Sequence, residues 1–227
     1  MALTMIHPQW SRDIQGVLFD MDGLVLDTEK LYSRFWMEAC RYYGYPMTRE
    51  QSLRMRSANR KLGMANLHEF FGPEIDYHQC RAKRIELMEN YIDQNGVDLK
   101  PGIHELLDCL QTLHIPAAIT SSSPADRIRK HLSSVGLYHR FDRICSGYDV
   151  PMSKPAPDIY LHGAASLGLK PQNCLALEDS PTGILSACRA GCLPVMIPDQ
   201  DQPDDETCSL LYAKADCLTD VIGLLRK

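Results

Sequence analysis

The run Gly16-Val17-Leu18-Phe19-Asp20-Met21-Asp22-Gly23-Leu24-Val25-Leu26-Asp27-Thr28 decides how this chain is read. Four apolar, β-type residues are followed at once by two carboxylates two positions apart. Alternate residues of an extended segment share a face, so Asp20 and Asp22 are aimed together out of the end of a buried strand. In an open α/β sheet that end is where ligands bind. Two acids there can hold one cation or act together on one substrate. Taken alone, the run is equally an acidic turn closing a strand, and the remainder of the chain argues against that plainer reading.

Further short β-rich runs recur at wide intervals: Ala117–Thr120, Arg143–Ser146, Cys174–Glu178 and Pro194–Ile197. Helix-length segments lie between them, at Pro124–Val135, Pro157–Leu167 and Pro181–Ala190. Such alternation predicts βαβ units and an α/β fold with a doubly wound, mostly parallel, Rossmann-like sheet. Ser123-Pro124 and Ser180-Pro181 each read as an N-cap followed by proline at the first helical position. Gly136, Gly168 and Gly191 fall where C-terminal caps belong.

One interval breaks the rhythm. From Glu29 to Asn95 no strand candidate occurs. Leu31, Phe35, Ala39 and Tyr42 lie at helical spacing up to Gly44-Tyr45-Pro46, and a second amphipathic stretch covers His78–Ile92 before Asn95-Gly96. The expectation is an inserted all-helical cap over 29–96, hinged near Asp27–Glu29 and Gly96–Gly102. The α/β core then comprises 1–28 and 97–227.

At 227 residues the chain can bury one substantial core plus a smaller one. Its 44% hydrophobic and 23% charged residues are ordinary globular composition. The net charge of −5 gives no basic surface for nucleic acid, so no nucleic-acid partner is expected. An acidic protein that binds phosphate needs local help from a cation, a lysine or helix N-termini. The stretch from Met1 to Gln15 lacks the apolar core of a leader, and no apolar run approaches membrane-spanning length. Nine cysteines without a CxxC pair read as reduced, mostly buried thiols of a cytoplasmic protein. The histidines show no metal-ligand spacing, and the acids Asp199, Asp201, Asp204, Asp205 and Glu206 read as a solvated loop.

Four signals fall at strand ends or the following helix starts. They are Asp20 with Asp22, the run Thr120-Ser121-Ser122-Ser123, Lys154-Pro155, and Glu178-Asp179. In this order they supply a nucleophilic carboxylate, a hydroxyl and amides for an oxyanion, a fixed cation, and distant acids for a metal. The motifs Asp20–Thr28 (DMDGLVLDT), Ile119–Ser123 (ITSSS), Ser153–Tyr160 (SKPAPDIY) and Leu177–Gly183 (LEDSPTG) resemble the haloacid dehalogenase-like superfamily, and within it the β-phosphoglucomutase-like phosphatase branch. The resemblance spans nearly the whole chain.

That resemblance implies roles. Asp20 would attack the phosphoryl group to form an aspartyl-phosphate. Asp22 would protonate the leaving oxygen and later activate water. Asp20, the Asp22 main-chain carbonyl and Asp179 would hold Mg2+, with Glu178 in support. Ser121 and Lys154 would bind the transferring oxygens, helped by the amides of Met21, Asp22 and Ser122. An acid at position 22 favours phosphoryl transfer over dehalogenation, since halide leaves without a proton. Mutases of the branch place a lysine and an asparagine where this chain has Pro124 and Ala125, and a histidine where Tyr32 stands.

The expected activity is therefore hydrolysis of a small phosphate ester, such as a sugar phosphate, by a monomer or weak homodimer without a membrane partner. The alternatives are a phosphosugar mutase and a non-catalytic phosphate-binding module. In the cap, Arg54 to Lys61 carries four positive charges. Arg56 and Asn59 there are candidate substrate contacts, and a solvated basic helix face is the plainer reading. Tyr32 and Trp36 are candidate substrate-facing residues that helical spacing equally assigns to the cap core. Tyr148-Asp149 either approaches the site or starts the turn before Pro151.

Overall fold

The computed structural model describes residues 3–7, 13–55, 58, 60–199 and 202–225. Seven strands form one sheet: β1 (Leu3–Met5), β2 (Gly16–Phe19), β3 (Ala117–Ser121), β4 (Arg143–Ser146), β5 (Cys174–Glu178), β6 (Leu193–Met196) and β7 (Ala213–Ala215). Their order is β1-β7-β6-β5-β2-β3-β4. Every pairing is parallel except β1 with β7. β2 lies between β3 and β5, so the chain turns to opposite sides of it, which makes a topological switch point at its carboxyl end. β2, β3, β5 and β6 are buried along their length, as parallel strands covered on both faces must be.

The chain divides into two compact units, one of Met1–Leu26 with Leu99–Lys227 and one of Asp27–Asp98. The boundaries fall two residues from those read in the sequence, for a local reason. Leu26 and Leu99 form an antiparallel bridge on the sheet side. Asp27 N–H donates to the Asp98 carbonyl at 2.8 Å, and Lys30 pairs with both Asp27 and Asp98 at 2.6 and 2.9 Å.

The helical unit contains α1 (Glu29–Tyr42), α2 (Arg49–Met55), α3 (Arg60–Phe71) and α4 (Tyr77–Asn95). Leu31 and Phe35 of α1 pack on Met88 and Ile92 of α4. Trp36 and Cys40 join Met55, Leu67, Tyr77 and Cys80 in a second cluster. Trp36 is thus core, and Tyr42, expected on the same apolar face as Leu31, is 65% exposed. It lies one turn beyond the packed stretch, where Lys83 covers its ring. Tyr32 is half-buried beneath the Arg84 guanidinium. Arg54, first of the basic run, forks onto Glu69 at 2.6 and 2.8 Å and stacks on Phe70. That is the plainer reading for this side chain. Arg56 and Asn59 lie outside the described residues.

In the α/β unit, α5 (Ile103–Thr112), α6 (Ala125–Ser134), α7 (Asp158–Ser166), α8 (Pro181–Arg189), α9 (Asp205–Leu210) and α10 (Ile222–Leu225) complete the structure. Two readings of the acidic tail change. Asp199 is nearly buried and pairs with Lys100 at 2.8 Å. Asp204 caps α9 by accepting from Thr207 N–H, with Asp205 and Glu206 in the first turn, where acids are favoured. Asp201 lies outside the described residues. All nine cysteines are free thiols, six of them buried. No described helix is long and apolar enough to cross a membrane.

Candidate active site

Strand register brings the site together. Phe19 lies level with Ile119 on one side and with Leu177 on the other. Asp20, Thr120 and Glu178 therefore emerge at one height where β2, β3 and β5 end. Two residues earlier, Leu18, Ala118 and Ala176 share that face by strand alternation, and they pack against Tyr160 and Ala164 of α7. Gly163 lets α7 come this close, since a Cβ there would lie 2.5 Å from Thr120 Cγ2 and 3.3 Å from Leu18 Cδ2.

Lys154 enters from the loop between β4 and α7. Its ammonium donates to Asp20 Oδ1 at 2.6 Å, to Glu178 Oε1 at 2.7 Å and to the Thr120 carbonyl at 3.1 Å. An ammonium has three protons, and here each has an acceptor. Burial pushes the Asp20 carboxyl up to about 7; the Lys154 charge opposes this, and the Glu178 and Asp22 charges add to it. Burial also works against the Lys154 charge, but Asp20 and Glu178 outweigh it and hold the ammonium above its ordinary value.

Glu178 has more to do than support a neighbour. Its Oε1 also accepts from the Tyr160 hydroxyl, and its Oε2 accepts from Ser180 Oγ at 3.2 Å. Ser180 caps α8 as its sequence position predicts, taking Gly183 N–H at 3.2 Å. The first turn of α8 closes over the carboxylate so tightly that a Cβ on Gly183 would lie 1.9 Å from Glu178 Cδ. Gly183→Ala is expected to displace Glu178 and lower stability by about 1–3 kcal/mol, the usual cost of overpacking. A thermal melt and a turnover assay check it.

Carboxylate oxygens of Asp20, Glu178 and Asp179 lie within 4.8 Å of one another, all three residues buried. The Asp22 carboxylate is not part of this group. The turn Met21–Leu26, closed by Val25 and Leu26 N–H on the Met21 carbonyl, sets it apart. Gly23 takes φ +87° in this turn, a conformation that glycine adopts without steric cost.

Ser123 was expected to cap α6, yet Pro124 occupies that position without a side-chain cap. The Ser123 hydroxyl donates instead to Asp22 Oδ2 at 3.1 Å. Ser121, itself buried, accepts from Ser123 N–H at 3.1 Å, and its carbonyl takes Gly147 N–H at 2.7 Å. The Met21 side chain is fully buried, while Ser122 is exposed at the turn. Asp149 accepts from Ser146 N–H, which makes it part of a local turn, and Tyr148 stands exposed.

The structure thus gathers Asp20, Lys154, Glu178 and Asp179, with Asp22 and Ser123 in the adjoining turns and Ser121 at the end of β3. Sequence reading missed Tyr160, Ser123 as a partner of Asp22, and the glycines at 163 and 183. Tyr160, Ser123 and Gly183 each stand inside a motif quoted above, which was their signal; Gly163 carried none.

Comparison with known proteins places these features in a family. The family model for haloacid dehalogenase-like hydrolases matches residues 17–197. A probable pseudouridine-5'-phosphatase of Drosophila melanogaster is 33% identical over 228 residues, covering 94% of this chain and 95% of its own. Hexitol phosphatase B of Escherichia coli is 29% identical over 216 residues, covering 92% and 95%. Among solved structures, a β-phosphoglucomutase from Clostridium difficile superposes with TM-score 0.75 at 22% identity, covering 92% of this chain and 93% of that one.

Proposed function

The chain belongs to the haloacid dehalogenase-like hydrolase family, and from that premise we propose that it is a magnesium-dependent phosphatase of small metabolites, with sugar phosphates the first substrates to try. It lies in the β-phosphoglucomutase-like branch and is a phosphoric monoester hydrolase. The observation that carries the reading is the buried group of Asp20, Glu178 and Asp179, two of which, Asp20 and Glu178, share one lysine. Two relatives named as phosphatases match nearly end to end.

The donor set fits magnesium. It is all oxygen, rich in carboxylate and closely grouped, as a hard divalent cation requires. Asp20, Asp179 and the Asp22 main-chain carbonyl would hold the ion, with Glu178 beside them. When bound, the ion would neutralise charge on the phosphoryl oxygens.

The chain's own residues do the rest in this reading. Asp20 attacks phosphorus and the leaving oxygen departs, so the ester is exchanged for an acyl-phosphate. Asp22 gives the leaving oxygen its proton, then takes one from the water that attacks the aspartyl-phosphate. The Ser123 hydrogen bond holds Asp22 ready for that transfer. Ser121, Lys154 and the amides of Met21 and Ser122 receive the transferring oxygens. At the start of α6, Pro124 and Ala125 offer no side-chain donor for a second phosphate, which supports hydrolysis over mutase chemistry.

The test is phosphate release from a panel of sugar phosphates and nucleotides, with Mg2+ and with chelator. Release that depends on Mg2+ is expected. Asp22→Ala should lose about 10²–10⁴-fold on alkyl esters and far less on an activated aryl phosphate, whose leaving group needs no proton. Equal losses on both esters would remove Asp22 from the acid role.

A further inference from the structure

The three protons of the Lys154 ammonium are held by Asp20, Glu178 and the Thr120 carbonyl. To bind a phosphoryl oxygen arriving at Asp20, Lys154 must release an acceptor. The carboxylate away from the incoming group is Glu178, whose side chain is 1% exposed. A buried carboxylate oxygen left without a donor is costly. Tyr160 removes that obstacle, because its hydroxyl already donates to the same Oε1.

Tyr160 is fully buried, and its ring lies below the ammonium, 5.1 Å from Nζ to centroid. That is within cation–π range, so the ring attracts the charge as it shifts. Burial and the nearby Glu178 and Asp20 charges push the phenol well above its ordinary value, so it stays a donor throughout. Phenylalanine would fill the same space, so packing alone does not call for this hydroxyl.

We propose that Tyr160 is a positioning residue for Lys154: its hydroxyl satisfies Glu178 Oε1, which frees the ammonium to pass from Glu178 to the phosphoryl group. The proposal rests on the phosphatase reading and adds to it a residue acting through Lys154.

The test uses the full chain carrying Tyr160→Phe. Three quantities are measured: kcat/KM on the best ester of the panel, Kd for orthophosphate with Mg2+ by calorimetry, and Tm. Without the hydroxyl, Glu178 retains Lys154 more firmly. A fall in kcat/KM and a rise in Kd are expected, each about tenfold, the scale of one hydrogen bond to a charged group, with Tm lowered by no more than the loss of that one bond and the fold retained. The same substitution is then made in a Lys154→Met background, where no ammonium remains to be positioned. There it should change the orthophosphate Kd by less than about twofold, as coupled residues behave in a double-mutant cycle.

Wild-type values in Tyr160→Phe, or an equal loss in both backgrounds, would overturn the proposal. A wild-type protein that neither releases phosphate from any ester nor binds orthophosphate would overturn the phosphatase reading itself, and the proposal with it. That outcome is recognised in the wild type, before any variant is compared.

Discussion

Asp20→Asn is expected to reduce phosphate release by about 10⁴-fold or more, the scale on which loss of a covalent nucleophile is felt. A carboxamide has nearly the same shape as the carboxylate and keeps an oxygen for Lys154, but it cannot form the acyl-phosphate. Its effect on stability should run the other way. Asp20 is buried, its carboxyl is pushed up to about 7, and Glu178 and Asp22 add repulsion. Removing its charge relieves that desolvation and repulsion, at the loss of one ion pair. The Tm in chelator should therefore stay level or rise, a trade of stability against activity common at functional sites. Phosphate release and a melt on one preparation check both halves. Turnover above about one-hundredth of wild type would exclude Asp20 as nucleophile.

Lys154→Met should be costly in both respects. The Lys154 side chain is 9% exposed, and its ammonium bridges Asp20 and Glu178 at 2.6 and 2.7 Å. Without it two buried carboxylates face each other, and leaving buried charge uncompensated typically costs about 3–5 kcal/mol. The sign of the pH dependence follows from Asp20. Its native pKa already exceeds the unfolded one with Lys154 present, and loss of the cation raises it further. The folded variant then binds more protons than the unfolded chain over an interval starting near the ordinary carboxylate pKa, so its stability falls as pH rises through that interval. Melts in chelator between about pH 5 and 8 should show the variant losing Tm relative to wild type toward the alkaline end. Added Mg2+ should restore more Tm to the variant than to wild type, because it supplies the missing positive charge to Asp20 and Asp179. A variant as stable as wild type in chelator at pH 8 would mean that the bridge carries no weight.

Much of this was legible in the chain because parallel α/β units write themselves locally. Buried strands read as short continuous apolar runs, and helix starts carry Ser-Pro signatures such as Ser180-Pro181. Two strands at one side of the sheet, the edge strand β1 and its neighbour β7, did not read as strands. β1 and β7 are three residues each, too short for any periodicity, and β1 pairs antiparallel with a segment more than two hundred positions away. The Ser123 cap failed for a related reason. A serine before Pro-Ala-Asp has the local form of an N-cap, but its hydroxyl finds a carboxylate delivered by β2, 101 residues earlier.

The family, the sheet class and the candidate acids, hydroxyls and lysine at the strand ends could be read from the chain alone, since each sits in a short motif whose local form is enough to recognise it. Who holds whom was set in three dimensions. Glu178 became the acceptor of Lys154, Tyr160 and Ser180. Gly163 and Gly183 became the points where helices close on the sheet. The physical reason is that a hydrogen bond or a close approach depends on distance in space. Residues 20, 154, 160 and 178 are set side by side by strand register and helix packing, about which their local sequence says nothing.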